Sequence, residues 1–196
     1  MRKITVGEFV SLDGVVQAPG DPDEDREGGF ELGGWTRPYW QDQIGERIFA
    51  SMSASDTILL GRKTYQGFAA AFSSAPAGDP FTDQMNNTPK YVVSTTLKKL
   101  EWKNSTLISA NVVEEVRRLK QLPGKDIAIS GSGTLVQTLM QHDLIDEYNL
   151  LVYPLLLGKG KRLYPDELQA KLKLVETKTF STGVVLLTYR PDRKEV

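Results

Sequence analysis

The chain has 196 residues, 40% of them hydrophobic and 25% charged, values that suit one globular domain large enough to bury a core. Its 24 lysines and arginines nearly balance 25 aspartates and glutamates, so no global field draws it to nucleic acid or to an anionic membrane. With no cysteine and one histidine, the sequence excludes disulfides, thiolate metal sites, iron–sulfur clusters and cysteine nucleophiles, and no metal site is expected.

Lys3 to Leu12 reads as a first strand, closed by the turn signal Asp13-Gly14. It follows the N-terminal residues with no apolar signal-peptide core, and a cytoplasmic location is expected. Residues 17–34 are rich in Gly, Pro, Asp and Glu, and the run Asp21-Pro22-Asp23-Glu24-Asp25 reads as a solvated loop. Thr36 to Met52 has the pattern of a helix capped by Thr36, with Trp40, Ile44, Ile48 and Met52 recurring every four residues on a core face. Thr57 to Leu60 is a short continuous apolar strand, as expected where both sheet faces are covered. Gly61 then opens a helical segment through Tyr65 and Phe68, and Ser73 to Pro89 reads as a loop.

Further strands are expected at Tyr91 to Ser94, Thr106 to Ser109, Ile127 to Ile129 and Tyr148 to Val152. Helices are expected at Val113 to Leu122 and Thr134 to His142, with His142 on the surface. Apolar runs such as Leu150 to Leu157 are far too short to span a membrane. Two strands, Leu172 to Thr179 and Val184 to Tyr189, close the chain as a hairpin. Alternating strands and helices imply right-handed crossovers and a mostly parallel sheet, with an antiparallel C-terminal edge.

Two junctions repeat one device. In Thr57-Ile58-Leu59-Leu60-Gly61-Arg62-Lys63-Thr64 a buried strand turns through glycine into a helix that starts with basic and hydroxyl groups. In Ile127-Ala128-Ile129-Ser130-Gly131-Ser132-Gly133-Thr134 another strand does the same through two glycines. A helix start offers unpaired N–H donors and a positive dipole end, and glycine admits an anion close to the backbone. Such a pair can hold a dinucleotide; the alternative is that the glycines only make tight turns. The third glycine of the dinucleotide fingerprint and the P-loop pattern are both missing. Ser94-Thr95-Thr96, with Arg62 and Lys63, either binds a ribose 2′-phosphate, selecting NADPH over NADH, or caps a turn.

Ser11-Leu12-Asp13-Gly14, Asp56 to Gly61, Gly131 to Leu135, Leu144 to Glu147 and Pro154 to Gly158 occur in an order that resembles the reductase domain of bacterial bifunctional riboflavin-pathway deaminase-reductases. Gly61 to Tyr65 and the hydroxyl cluster at Ser94 look more like dihydrofolate reductase. The resemblance runs from Lys3 to Arg190. It implies a three-layer α/β/α dihydrofolate-reductase-like fold, NADPH as cofactor, a small heterocyclic substrate and a homodimer. It also implies cofactor contacts at Gly61, Arg62, Lys63, Thr64, Ser94, Thr95, Thr96, Gly131, Ser132, Gly133, Thr134 and Leu135.

The chain departs from the family in two respects. It has no residues for the zinc site of a deaminase domain, and the arginine-containing stretch expected after Thr64 is missing. Arg162 either replaces that stretch or belongs to a solvated basic turn. Dihydrofolate reductases carry a carboxylate on the first helix; here Asp42 and Glu46 flank the matching position and read as solvated. Asp13, just after the first strand, is the candidate catalytic carboxylate, and an Asp before Gly is also a common turn former. Trp35 and Tyr39 are expected to wall the substrate pocket. The reading is an NADPH-dependent reductase of the 5-amino-6-(5-phosphoribosylamino)uracil reductase type. The alternatives are a dihydrofolate reductase, a nucleotide-binding protein without turnover, and an interaction domain with no cofactor.

Overall fold

β1 (Ile4–Ser11) places Ile4, Val6 and Val10 on one sheet face, where they are 0–4% exposed, and Thr5, Gly7 and Phe9 on the other. That alternation sets the design of the molecule. In a computed structural model that describes residues 1–164 and 166–193, β1 lies inside an eight-stranded sheet. The other strands are β2 (Ser55–Gly61), β3 (Lys90–Val93), β4 (Ser105–Ile108), β5 (Asp126–Ser130), β6 (Glu147–Tyr153), β7 (Leu172–Thr179) and β8 (Val185–Pro191). Their order is β4-β3-β2-β5-β1-β6-β8-β7. Pairings among β1 to β6 are parallel, and β8 joins β6 and β7 antiparallel.

Helices α1 (Asp42–Ser53), α2 (Arg62–Phe72), α3 (Pro80–Asn87), α4 (Val112–Gln121) and α5 (Gly133–Gln141) flank the sheet. Ile4, Val6 and Val10 pack with Val116 and Leu119 of α4 and with Leu135, Val136 and Leu139 of α5. Met52 of α1, Tyr65 of α2 and Met85 of α3 pack with Ile58, Leu60 and Val92. The third cluster joins Val15, Phe30 and Trp35 of the long loop to Ile44, Tyr153 and Phe180. The continuous apolar run of β2 follows from cover on both faces, as the sequence implied. Among the described residues, no helix is long and apolar enough to cross a membrane.

Four local expectations need correction. The helix expected over residues 36–52 is broken: a short turn at Arg37–Tyr39 precedes an extended Trp40, and α1 starts only at Asp42. Thr36 does not cap it, because its hydroxyl donates to the Pro19 carbonyl at 2.7 Å. Trp40, expected in the core, is 50% exposed, since the break rotates it off the α1 stripe. The expected loop 73–89 contains α3, whose start was written as Asp79-Pro80: the Asp79 carboxylate accepts from the Thr82 amide at 2.8 Å.

Candidate active site

β2 and β5 are adjacent and parallel, so their glycine corners fall at the same carboxyl edge of the sheet. The corners touch. A Cβ on Gly61 would lie 2.9 Å from the Ser132 Cβ, and one on Gly131 would lie 2.6 Å from Thr64 Oγ1. Among the described residues, neither α2, capped by Gly61, nor α5, capped by Ser132, has a side-chain hydrogen bond capping its start. Two helix starts with uncapped donors therefore converge on one place that only small residues can occupy. That arrangement fits the phosphates of a dinucleotide.

The side chains expected around it divide into two groups. Arg62 is exposed, and its one hydrogen bond among the described residues goes to Gln66 Oε1 at 3.2 Å. Thr64 packs against Gly131, and Thr95, Thr96 and Thr134 are exposed. By contrast, the buried Ser94 hydroxyl is occupied: it accepts from the amides of Thr96 at 3.2 Å and Leu97 at 3.0 Å, the turn-capping alternative. The Leu135 side chain is in the core, which leaves only its backbone near the corner.

Lys63 is also engaged. Its ammonium donates to Asp25 at 2.6 Å and Glu27 at 2.7 Å, and Lys161 donates to the same two carboxylates. These hydrogen bonds hold the carboxyls of Asp25 and Glu27 down at about 2, outweighing partial burial at Asp25. The acidic loop is thus only partly the solvated segment expected from its composition. Asp21, Asp23 and Glu24 are exposed, while Asp25 and Glu27 tie the loop to α2. Buried Gln17 holds the same loop, donating to the carbonyls of Asp25 and Glu27 and accepting from the Lys161 amide.

Asp13 accepts from Ser11 Oγ at 2.6 Å and from the amides of Leu157 at 3.1 Å and Gly158 at 2.7 Å. The Ser11 hydroxyl and these amides bring its carboxyl down to about 2. A carboxylate so well supplied with donors clamps the loop after β6 and is a poor source of a proton. Arg162, expected to compensate or to be solvated, donates to the Asp13 carbonyl at 2.6 Å and so strengthens the same clamp.

On the α1 side of the sheet, where β1 carries Thr5 and Gly7, a recess of about 60 Å³ remains. That is room for several waters or one group of a ligand. Phe9, Arg47, Ile48, Ser51, Ser130, Asn149, Leu151 and Leu186 are among its other walls, while the Glu8 side chain lies on the opposite face of the sheet with Ile4, Val6 and Val10. Trp35 and Tyr39, the expected pocket walls, do not line it. Trp35 is 6% exposed, donates from Nε1 to the Gln17 carbonyl, and packs edge-on against Tyr153, as does Tyr39. The expectation fails because the glycines beside Trp35 turn the chain inward, into the core. Asp42 and Glu46 face solvent, as the spacing implied, and α1 presents Arg47 to the recess. Arg47 also pairs with Glu176 of β7 at 2.9 Å.

The residue that sequence reasoning missed is Glu8. Its Oε1 accepts the Gly131 amide at 3.0 Å, and burial pushes its carboxyl up to about 8. A signal was available: positions 4, 6, 8 and 10 of one strand read Ile, Val, Glu, Val, and a lone acid in an inward register is costly without a purpose.

Residues 2–186 match the RibD C-terminal domain family. The chain belongs to that family. It is 38% identical over 140 residues to the uncharacterized protein YyaP of Bacillus subtilis, covering 68% of this chain and 73% of that one. A putative riboflavin biosynthesis protein from Shewanella sp. PV-4 has the same fold, with TM-score 0.69, 20% identity and coverage of 97% and 99% of the two chains. Enterococcus faecalis dihydrofolate reductase, solved in complex with NADP(H), superposes with TM-score 0.63 at 14% identity over 97% of each chain. The fold is therefore dihydrofolate-reductase-like, and the family is that of the RibD C-terminal domain.

Proposed function

We propose that the protein is an NADPH-dependent reductase of a small heterocycle, of the 5-amino-6-(5-phosphoribosylamino)uracil type. The observation that carries this reading is the meeting of the Gly61 and Gly131 corners at one sheet edge, with uncapped helix starts and exposed Arg62 beside them. NADPH, when bound, supplies a hydride. In this reading the amides of both corners bind its phosphates, Arg62 with Thr95 and Thr96 reads the 2′-phosphate, and Thr64, Ser132, Gly133, Thr134 and the Leu135 backbone shape the cradle.

The recess beside β1 receives the substrate ring. Asn149, Ser130 and Thr5 supply neutral hydrogen-bonding groups, and Arg47 favours an electron-rich carbonyl or an anionic substituent. Dihydrofolate is the less favoured substrate, because α1 offers the recess a guanidinium and no carboxylate. The chain's task is to align the ring with the cofactor and to exclude water.

The same reading makes the protein a cytoplasmic homodimer. Its cysteine-free composition and the half-exposed Leu174 and Val175 on edge strand β7 support this. Light scattering coupled to gel filtration tests the dimer.

Calorimetry with NADPH and NADH tests the cofactor. Tighter binding of NADPH is expected, and no heat with either nucleotide removes the reading. Oxidation of NADPH with the ribosylaminouracil phosphate, compared with dihydrofolate, then tests the substrate class.

A further inference from the structure

Directly opposed residues of neighbouring strands share a sheet face. One row thus crosses five strands: Ser130 stands opposite Gly7, Gly7 opposite Asn149, Asn149 opposite Thr188, and Thr188 opposite Glu176. The row lies on the α1 face, and Ser130, Gly7 and Asn149 border the recess. Gly7 is the position without a side chain. A Cβ there would meet only the Ile129 carbonyl, at 3.9 Å, so it is the missing side chain that leaves room above the strand.

The middle of the row is fixed. Asn149 Oδ1 accepts from the buried Thr188 hydroxyl at 2.9 Å, and Nδ2 donates to Glu147 Oε1 at 3.3 Å. Those two bonds set the amide orientation and leave one Nδ2 hydrogen for an acceptor on a ligand. Glu147 is neutralised by Arg190 at 2.8 Å. With Glu8 on the other face, Arg47 is the one charged side chain bordering the recess from this side among the described residues. Its Nη2 donates to Glu176 Oε2 at 2.9 Å, while Nε and Nη1 have no partner among the described residues. The two side chains are 31% and 48% exposed, and an ion pair so open to water contributes little and yields to a competing anion.

We propose that Arg47 is the specificity-determining residue of the substrate recess and selects a heterocycle that carries an anionic group on a spacer. This rests on the reading of the recess as the substrate site. The ring lies over Gly7 with an acceptor toward Asn149, and the anion displaces Glu176 from the guanidinium. A spacer is required by the geometry. Glu176 stands three strands from Gly7, about 14 Å at ordinary strand spacing, and Arg47 reaches from the recess toward it. An anionic group attached directly to the ring falls short of that distance, whereas one on a sugar-length arm approaches it. The planar fork of arginine, with two of its nitrogens unpaired, suits the oxygens of a phosphate or a carboxylate.

Calorimetry in the presence of NADP⁺ decides it with two pairs of probes. One pair is the ribosylaminouracil phosphate and its dephosphorylated nucleoside; the other is dihydrofolate and dihydropterin, which makes the same comparison with carboxylates. In at least one pair wild type should prefer the anionic member by roughly 10- to 100-fold. Arg47→Met should erase that preference by weakening the anionic member alone, and Arg47→Lys should recover part of it. Glu176→Gln, which frees the guanidinium, should tighten the anionic member about two- to fivefold. Both Arg47 variants should melt like wild type, because the pair they break is exposed, and this separates lost recognition from lost fold. Gly7→Val should also fold, yet bind neither member of the pair. A preference that survives Arg47→Met, or wild type with no preference in either pair, overturns the role of Arg47 and leaves the recess as the substrate site. Wild type that binds none of the four probes, or Gly7→Val that binds them as wild type does, overturns the substrate recess and the role of Arg47 with it.

Discussion

Ser132 of one strand–helix corner packs directly on Gly61 of the other, its Cβ 2.9 Å from where a Gly61 side chain would begin. Replacing Gly61 with Ala should therefore destabilise the fold by about 1–3 kcal/mol through overpacking and weaken NADPH at least tenfold. Ser132→Gly in the same chain should relieve much of the stability loss. Urea unfolding of the two single variants and the double variant reads the coupling. Strictly additive effects would mean that the corners do not press on one another.

Arg62 and Lys63 are neighbours with different tasks. Lys63 already neutralises Asp25 and Glu27, whereas the one Arg62 hydrogen bond among the described residues goes to Gln66. Arg62→Ala should weaken NADPH by roughly 10- to 100-fold and leave NADH nearly unchanged, since the 2′-phosphate is the difference. Lys63→Ala should cost NADPH binding less than Arg62→Ala does. Calorimetric titration with both nucleotides reads the ratio.

The Lys63–Lys161–Asp25–Glu27 network should hold the acidic loop in a pH-dependent way. Both carboxyls are depressed to about 2, so the stabilisation is complete above their ordinary values, 3.8 and 4.5, and is lost as pH falls toward 2. Lys161→Met should speed amide hydrogen exchange in residues 17–34 at neutral pH, and high salt should do the same to a smaller degree.

Asp13→Asn should lower the melting temperature without changing the pH dependence of turnover. The Leu157 and Gly158 amides lose a charged acceptor, and the clamp it forms operates above pH 4 and fails as pH falls through about 2. A variant with wild-type melting and an altered pH–rate profile would return Asp13 to the chemistry.

Glu8 carries the opposite linkage. Its carboxyl is raised from 4.5 to about 8, so the unfolded chain ionises first and stability should decline as pH rises from 4.5 to 8, then level off. In Glu8→Gln that decline should be smaller. Denaturation midpoints measured across this range give the comparison.

The two glycine corners were legible as junctions because glycine between an apolar run and a helix start marks a tight strand–helix turn. The pocket was not. Trp35 and Tyr39 look like open aromatic walls next to glycines, yet both rings pack edge-on against Tyr153, a residue more than a hundred positions away. Lys63 looked available until Asp25 and Glu27, also distant in the chain, were found against it. Glu8 was written plainly in an alternating strand, but its neighbour Gly131 was not.

By itself the sequence determined the strand–helix alternation, the buried register of β1 and β2 and the glycine turns, because periodicity and backbone freedom are local properties. Only the tertiary structure decided which charges are already paired, which aromatics belong to the core, and that an acid on the first strand meets the Gly131 corner. Those relations depend on parallel pairings such as β1 with β5, which join residues over a hundred positions apart, and no local pattern encodes them.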